Sequence, residues 1–481
     1  MMRRLVSALC CCILLAACSV GPDYVRPPAV AVMPDQFKEL PGWKRAATVD
    51  GALQGAWWRC FHDQELDRLM GRLAVSNQTL RQAEAQYHQA RALLQAARSG
   101  SYPTVTLGAA ATRAQRSANA VTGVKNGGAS PGWDLQLPLD LSWELDLWGR
   151  IRRTVEAGEA GATASADDLA AARLSLQASL AVSYFQLRTV DAQRVLYGQT
   201  VDGYRRYLEL TRNRYQAGVA AQSDLLQAET QLKSIEAQAV DLDLQRAQLE
   251  HAVALLIGTP ASHFSLPLLP LAGEPPEIPA VIPSQLLEKR PDIAAAERRM
   301  MAANAQIGVA QAAWFPTVRL SATGGLESSS LASWLAWPSR FWSVGPSVSQ
   351  TLFDGGLRGA QTAQARAVYE GTVAAYRQTV LTAFQEVEDN LAALRLLATE
   401  GAMQAAAVEA AHRTTIVTSN QYQAGVAGYL NVITAQTAEL ANRRTALSIQ
   451  GRRLVADVLL IKAIGGGWEG GRRVAAGHPS P

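Results

Sequence analysis

The chain is written twice. Residues 77–107 lie without a gap over residues 290–320 with nine identities, among them Glu84 with Glu297, Pro103 with Pro316, Thr104 with Thr317 and Val105 with Val318. Farther on, Tyr215-Gln216-Ala217-Gly218-Val219-Ala220 recurs letter for letter as Tyr422-Gln423-Ala424-Gly425-Val426-Ala427. Two copies are too few for a solenoid, in which stacked repeats bury one another's open faces. A duplicated half predicts a pseudo-symmetric wall in which two similar units stand side by side.

Each copy carries a seven-residue seam. Leu80, Ala83, Tyr87, Ala90, Leu94 and Ala97 alternate in steps of three and four, the a/d spacing of a helix that packs along a narrow stripe, and Ile293, Ala296, Met300, Ala303, Ile307 and Ala310 repeat it. Leu225, Ala228, Leu232 and Ile235 start another such run, and Val373, Val380, Val387 and Leu394, like Leu440, Leu447, Leu454 and Ile461, recur every seven residues. No proline occurs from 150 to 215 or from 358 to 422. Each stretch has room for a helix of roughly 100 Å at about 1.5 Å per residue. Both end at the repeated hexapeptide, where Gly218 and Gly425 suit the left-handed residue that stops a helix. A new seam begins a few residues later, which predicts two helix hairpins with tight tips. Alanine, leucine, glutamine, arginine and glutamate dominate these stretches, a composition that favours extended helices.

A second periodicity stands between the helical runs. From 135 to 147 the odd positions read Leu135, Leu137, Leu139, Leu141, Trp143, Leu145 and Leu147, and the even ones Gln136, Pro138, Asp140, Ser142, Glu144 and Asp146. That is a strand with one greasy and one hydrophilic face, longer than the usual soluble strand and matched to the roughly 9–11 residues that cross an outer membrane at a tilt. Weaker alternation marks three partners, starting near Thr104, Thr317 and Trp342, so four transmembrane strands are expected. Polar loops at 117–132 and 324–339 lie between them, with Trp133, Trp334, Trp337 and Trp342 at the expected bilayer rim. An antiparallel soluble sheet can also keep one face wet, and the strands alone leave that alternative open. Four strands cannot close a barrel, and open edges are not tolerated in hydrocarbon, so several copies must complete the cylinder. Closure alone permits more than one copy number.

The first residues decide between these readings. Arg3 and Arg4 precede an apolar stretch ending in Leu15-Ala16-Ala17-Cys18. The stretch is too short for a comfortable membrane span, and small residues before a cysteine indicate a cleaved lipoprotein signal peptide over 1–17. Cys18 then begins the mature chain, carrying a diacylglyceryl group on sulfur and an acyl chain on nitrogen. Cys10, Cys11 and Cys12 leave with the signal, so the mature body keeps only Cys60 and has no internal disulfide. Beside Trp57, Trp58 and Phe61, Cys60 reads as a small packed residue. The six histidines show no ligand spacing, and no glycine-rich loop followed by Lys-Ser/Thr occurs, so no metal, nucleotide or other cofactor and no enzymatic site is expected. Lysine and arginine number 45 against 41 acids and are evenly spread, which gives no basic face for nucleic acid. The domains expected are the signal at 1–17, a lipidated extension and belt at 18–75, a first repeat at 76–280, a second at 281–467, and a disordered tail at 468–481 rich in glycine and arginine.

Several short motifs carry a family resemblance. Cys18-Ser19-Val20-Gly21-Pro22-Asp23-Tyr24-Val25-Arg26-Pro27 resembles the opening of TolC-like outer-membrane efflux channels of the lipoprotein (OprM/NodT) branch. Further landmarks follow in family order: Trp57-Trp58 with Phe61, Asp63 and Leu66; Asp146-Leu147-Trp148-Gly149-Arg150; Arg290-Pro291-Asp292-Ile293; Phe353-Asp354-Gly355-Gly356; and Ala463-Ile464-Gly465-Gly466-Gly467-Trp468. The resemblance implies an α+β membrane protein that forms a homotrimer, with a twelve-stranded β-barrel in outer-membrane lipid and a twelve-helix tube in the periplasm. It also implies a periplasmic adaptor docking on the tips at Gly218-Val219 and Gly425-Val426, and an inner-membrane pump, usually of the RND type. The chain is then a passive exit duct for drugs, solvents, metals or other small compounds. Many relatives place an acid directly after the Gly-Val of the second tip, where this chain has Ala427. Asp224, in the first tip, is the nearest acidic candidate for a gate, with helix capping or plain solvation as its alternative. The rival functions are a protein-secretion channel of the same architecture and a non-conducting periplasmic lipoprotein scaffold.

Overall fold

The computed structural model describes residues 20–30, 36–39, 55–115, 131–269, 271 and 289–468. The leader at 1–17, Cys18, most of the 117–132 loop and the tail beyond Trp468 lie outside the described residues. The first half contains α1 (Gln64–Ser76), α2 (Gln78–Ser99), β1 (Thr104–Leu107), β2 (Ala110–Ala114), β3 (Gly132–Leu145), α3 (Arg150–Gln216) and α4 (Gln222–Leu256). The second contains α5 (Pro291–Ala312), β4 (Thr317–Ser328), β5 (Arg340–Ser349), α6 (Leu357–Gln423) and α7 (Tyr429–Ala463). Matched helices have equal lengths: 22 residues in α2 and α5, 67 in α3 and α6, 35 in α4 and α7. The repeat is therefore carried by the helices, and the copies differ in length across the strands that separate them.

The seams form because small and branched apolar residues recur on one narrow stripe. On α2 the seam positions are the covered ones, with Leu80 fully buried and Ala83, Tyr87, Ala90, Leu94 and Ala97 half-buried among exposed neighbours. The matching α5 is covered over a wider arc, since Ala295, Asn304 and Ala305 are buried beside Ile293, Met300 and Ile307. The same period thus serves a peripheral helix in one copy and an enclosed helix in the other.

The chain divides into two compact units. One holds the five strands with residues 20–27 and the helical segments 87–99, 150–165, 296–312 and 357–376. In it, the N-terminal segment is pinned at the start of α3. Val20 N–H donates to the Trp148 carbonyl at 3.1 Å, buried Arg153 reaches Asp23 Oδ1 at 2.8 Å, and Asn304 Nδ2 donates to the Pro22 carbonyl at 2.8 Å. The other unit holds α1, the coiled-coil portions of α3, α4, α6 and α7, and both ends of the helix pairs. Its core includes Trp57, whose indole N–H donates to Gln177 Oε1 at 3.2 Å, and the run Val190, Tyr197, Val201 and Tyr204 packed on Leu232, Ile235 and Leu242.

Two matched corners close the repeats within this second unit. At the end of α4, Asn77 Nδ2 donates to the Leu256 carbonyl at 2.7 Å; at the end of α7, Arg290 Nη1 donates to the Ala463 carbonyl at 3.0 Å. A helix leaves its last carbonyls without partners, and a side-chain donor supplies one. Arg290 is itself buried and held by Asp292 and Glu386, each at 2.7 Å. The backbones then come into contact: a Cβ added at Gly258 would fall 2.2 Å from the Ser76 oxygen, and one at Gly465 would fall 1.9 Å from the Lys289 oxygen. Both glycines also have positive φ, +66° and +97°, which a side chain opposes.

Gly465→Ala is expected to destabilise the protein by about 2 kcal/mol or more, through strain and through backbone overlap that cannot relax. Gly401→Ala, inside α6 with its added Cβ at an ordinary 3.6 Å from Ile449, should instead gain about 0.5–1 kcal/mol. Melting of the detergent-purified variants measures both, and equal melting points would remove the corner from the account.

Candidate functional site

The strands form one antiparallel sheet in the order β1-β3-β4-β5, with β2 also on β3. β1 and β2 are a single strand in physical terms, because Thr104 to Leu107 face Ser142 to Leu139 and Ala110 to Ala114 face Gln136 to Gly132 in one unbroken register. The interruption falls where Gly108 meets Pro138: Gly108 N–H donates to the Pro138 carbonyl at 2.9 Å, but proline has no N–H to return. The four strands expected from the sequence are these, with the first one missing a rung. Pro138 is tolerated in a central strand because glycines flank it. A Cβ at Gly108 would press on the proline ring at 3.3 Å, and one at Gly325 would meet the Leu137 oxygen at 2.3 Å.

The register sorts the side chains onto two faces. Thr106, Asp140, Thr323 and Ser343 share one level of the hydrophilic face, and Ser142, Ser321 and Gly345 the next. Thr323 Oγ1 donates to Asp140 Oδ1 at 2.7 Å, and Glu144 takes Arg150 at 2.9 Å with Arg319 at 3.8 Å. The opposite face presents Leu107, Leu139, Val344 and Val348 to the outside, all more than half exposed. An apolar face this open beside a charged one needs a greasy medium on one side and water on the other. Among the described residues both lateral edges, β1 with β2 and β5, have no neighbouring strand. Among the described residues no helix is long and apolar enough to cross a membrane.

The helix tips are built to one plan. α3 stops in a double turn, with Val219 N–H on the Arg214 carbonyl at 2.8 Å and Gly218 N–H on the Tyr215 carbonyl at 2.9 Å; α6 repeats it with Val426 on Gln421 at 2.9 Å and Gly425 on Tyr422 at 3.0 Å. Gly218 and Gly425 take φ of +75° and +78°, as a helix-stopping left-handed residue must. The following valines do not fold back for shelter; Val219 is 66% and Val426 79% exposed. Asp224 lies in the first turn of α4, half-buried, where the helix dipole favours a negative charge. The N-cap itself is Ala221. Burial raises the Tyr429 hydroxyl well above the usual phenol value, and the fields of Tyr204, Tyr422, Tyr207 and Asp224 add to it.

Sequence reasoning did not find the contact that joins the two tips. Arg214 Nη1 donates to the Tyr422 carbonyl at 2.7 Å while its guanidinium lies 4.6 Å over the Tyr422 ring, and Tyr207 and Ser419 hydroxyls bond at 2.7 Å. Tyr422 is buried, whereas its counterpart Tyr215 is 40% exposed. The available signal was the residue just before each hexapeptide, which is Arg214 in one copy and Gln421 in the other.

In the same unit, away from the tips, Asp457 of α7 is buried with Oδ2 lacking a hydrogen bond. Burial pushes its carboxyl from 3.8 up to about 7, with Arg453 pulling the other way. Burial, with the Asp457 field added, pushes the Cys60 thiol up to about 12, so the sulfur is a protonated packing group and a poor nucleophile.

A two-faced sheet with free edges, joined to paired coiled-coil hairpins, defines an outer-membrane duct. The outer membrane efflux protein family matches residues 69–259 and 282–466, and the chain belongs to that family. It is 31% identical over 471 residues to outer membrane protein OprJ of Pseudomonas aeruginosa, covering 97% of this chain and 96% of that one. It is 29% identical over 471 residues to the toluene efflux pump outer membrane protein TtgC of Pseudomonas putida, with coverage of 97% and 96%. The solved outer-membrane channel OprN superposes with a TM-score of 0.86 at 29% identity, over 94% of this chain and all of that one. The protein is an outer-membrane efflux channel of the OprM/NodT type, and its fold is that of the trimeric channels with a β-barrel and a helical barrel.

Because folded Asp457 holds its proton more tightly than the unfolded chain does, its contribution to stability is intact below about pH 4 and is lost as pH rises to about 7. Asp457→Asn should therefore melt higher than the parent at pH 8 and close to it near pH 4.5. A constant difference across that range would mean the carboxyl is hydrated.

Proposed function

We propose that three copies of the chain close into a twelve-stranded barrel, continued by twelve long helices into the periplasm. The duct then passes small molecules outward while a partner supplies the energy. The observation that carries this reading is the sheet: hydrophilic on one face, apolar on the other and, among the described residues, unpaired at both edges. Backbone groups left bare in hydrocarbon cost several kcal/mol each, so edges of neighbouring copies must meet. The wall performs no covalent step and needs no cofactor; it lowers the cost of crossing lipid by keeping the path wet.

The exposed Gly218-Val219 and Gly425-Val426 tips are the seats for a periplasmic adaptor, which links the duct to an inner-membrane pump of the RND type. The cargo class is small drugs, solvents or metals, in keeping with the naming of TtgC as part of a toluene pump. Cys18 carries the lipid. Val20 is held at Trp148, directly after β3, so acyl chains two residues away would enter the inner leaflet beside the strands.

The tip contacts hold the helices together at rest. Arg214 joins one hairpin to the carbonyl end of the other, and adaptor binding favours the arrangement in which that contact is broken. Asp224, beside this cluster, contributes negative charge to the constriction.

In planar bilayers the parent trimer should pass little current, and Arg214→Ala should raise the open fraction roughly tenfold, as expected for loss of one charge-assisted hydrogen bond. Silence from folded parent and variant alike would favour a scaffold. Mass spectrometry of the N-terminal peptide should find the acyl groups on Cys18 and none after Cys18→Ser; an unmodified parent would remove the anchor.

A further inference from the structure

The apolar face of the sheet carries only two charges among its described residues, and both stand at the same end. The register places Val105, Leu107, Ala111 and Arg113 on this face of the first strand, and Arg340, Trp342, Val344 and Val348 on that of β5. Arg113 is the penultimate residue of β2 and Arg340 the first of β5, so both lie at the hairpin-loop end, remote from the helices. In the outer membrane that end faces the cell exterior. No charged residue occupies the helix end of the same face, where Val105, Leu145, Val318 and Val348 stand.

Neither arginine has a carboxylate partner among the described residues. Each rests on an indole: Arg113 lies 5.7 Å from the Trp133 ring centroid and Arg340 lies 3.3 Å from that of Trp337, with its Nε donating to the Trp337 carbonyl at 3.0 Å. Most of both forks remains available, since a guanidinium has five N–H donors. Apolar surface on the same face lies beside Arg340, with Trp342 79% and Val344 61% exposed. A cation held on the lipid side of a barrel is costly at the bilayer midplane and nearly free near the interface, and there it meets headgroups.

The edges complete the arrangement. β2 and β5 are opposite edges of one sheet, so in the closed ring proposed above, on which this inference rests, Arg113 of each copy comes beside Arg340 of the next. Two like charges drawn together on a greasy surface call for an anion between them. We propose that each seam of the barrel is a clamp for a phosphorylated lipid of the outer leaflet. Arg113 and Arg340 from adjacent copies grip the phosphate, and Trp342 and Val344 lie along the acyl chains. Free phosphate would gain nothing from that apolar surround, so the lipid is the occupant. Arg–phosphate contact is the bidentate, charge-assisted kind that gives both strength and geometry.

The test uses the full-length trimer in neutral detergent, titrated with diphosphoryl lipid A and with the same lipid after dephosphorylation, and read by native mass spectrometry and melting. The parent should retain the phosphorylated lipid at least about tenfold more tightly, and the Arg113→Gln, Arg340→Gln double variant should lose that preference while remaining trimeric. Equal retention of the two lipids by the parent, or an undiminished preference in the double variant, overturns the clamp. The comparison of lipids on the parent decides even if the variant does not fold. Failure to form a closed ring at all would count against the trimeric duct, whereas a ring indifferent to phosphate removes the clamp alone.

Discussion

A peptide group cannot go without a hydrogen bond in hydrocarbon, and the rest of this architecture follows from that. A sheet of four strands satisfies its interior and, among the described residues, leaves two edges bare. In water such edges can be hydrated; in a bilayer they must find another chain. The unit of function is therefore larger than the unit of sequence. The duplication reflects the same economy, because each half provides a strand hairpin and a helix hairpin and the ring repeats them.

The helical part meets the same requirement by local means. Each long helix ends in a left-handed glycine that ties off its last carbonyls, and each second helix ends where a side chain from the start of its own repeat donates to it. The donors differ: neutral Asn77 in one corner, charged Arg290 with its two acids in the other. The tips differ likewise, with Arg214 standing where the second copy has Gln421. Duplication preserved geometry more faithfully than chemistry. The surviving differences decide which tip tyrosine is enclosed: Tyr422 is buried, whereas Tyr215 is 40% exposed.

Much of this was legible in the sequence wherever the signal is local. Period two from 135 to 145 set the faces of β3, period seven marked the covered stripe of α2, and Gly218 and Gly425 marked the turns. What escaped were pairings between residues far apart in the chain. Arg214 and Tyr422 are 208 positions apart, and no spacing rule connects them. Nothing in the local sequence marks Asp457 as buried, because burial is a property of what packs against it. The split of the first strand was also hidden: Pro138 and a strand near Thr104 were both visible, but the register that sets Gly108 opposite Pro138 was not. Cys18, read from its leader, lies outside the described residues and stands on that reading alone.

The two faces of the sheet differ in bulk as well as in polarity. The wet side sets Thr106, Gly108, Ser142, Ser321, Gly325, Gly345 and Ser347 among the larger Asp140, Glu144 and Arg319, while the other side carries leucine, valine and tryptophan at nearly every level. Crowding on one side and slack on the other makes a sheet curl toward its slimmer residues, most easily where a rung is absent and glycines sit on either hand, as at Pro138. The concave side is then the hydrophilic one without further instruction. A subunit whose residues favour that curl is biased toward the curvature a closed ring requires.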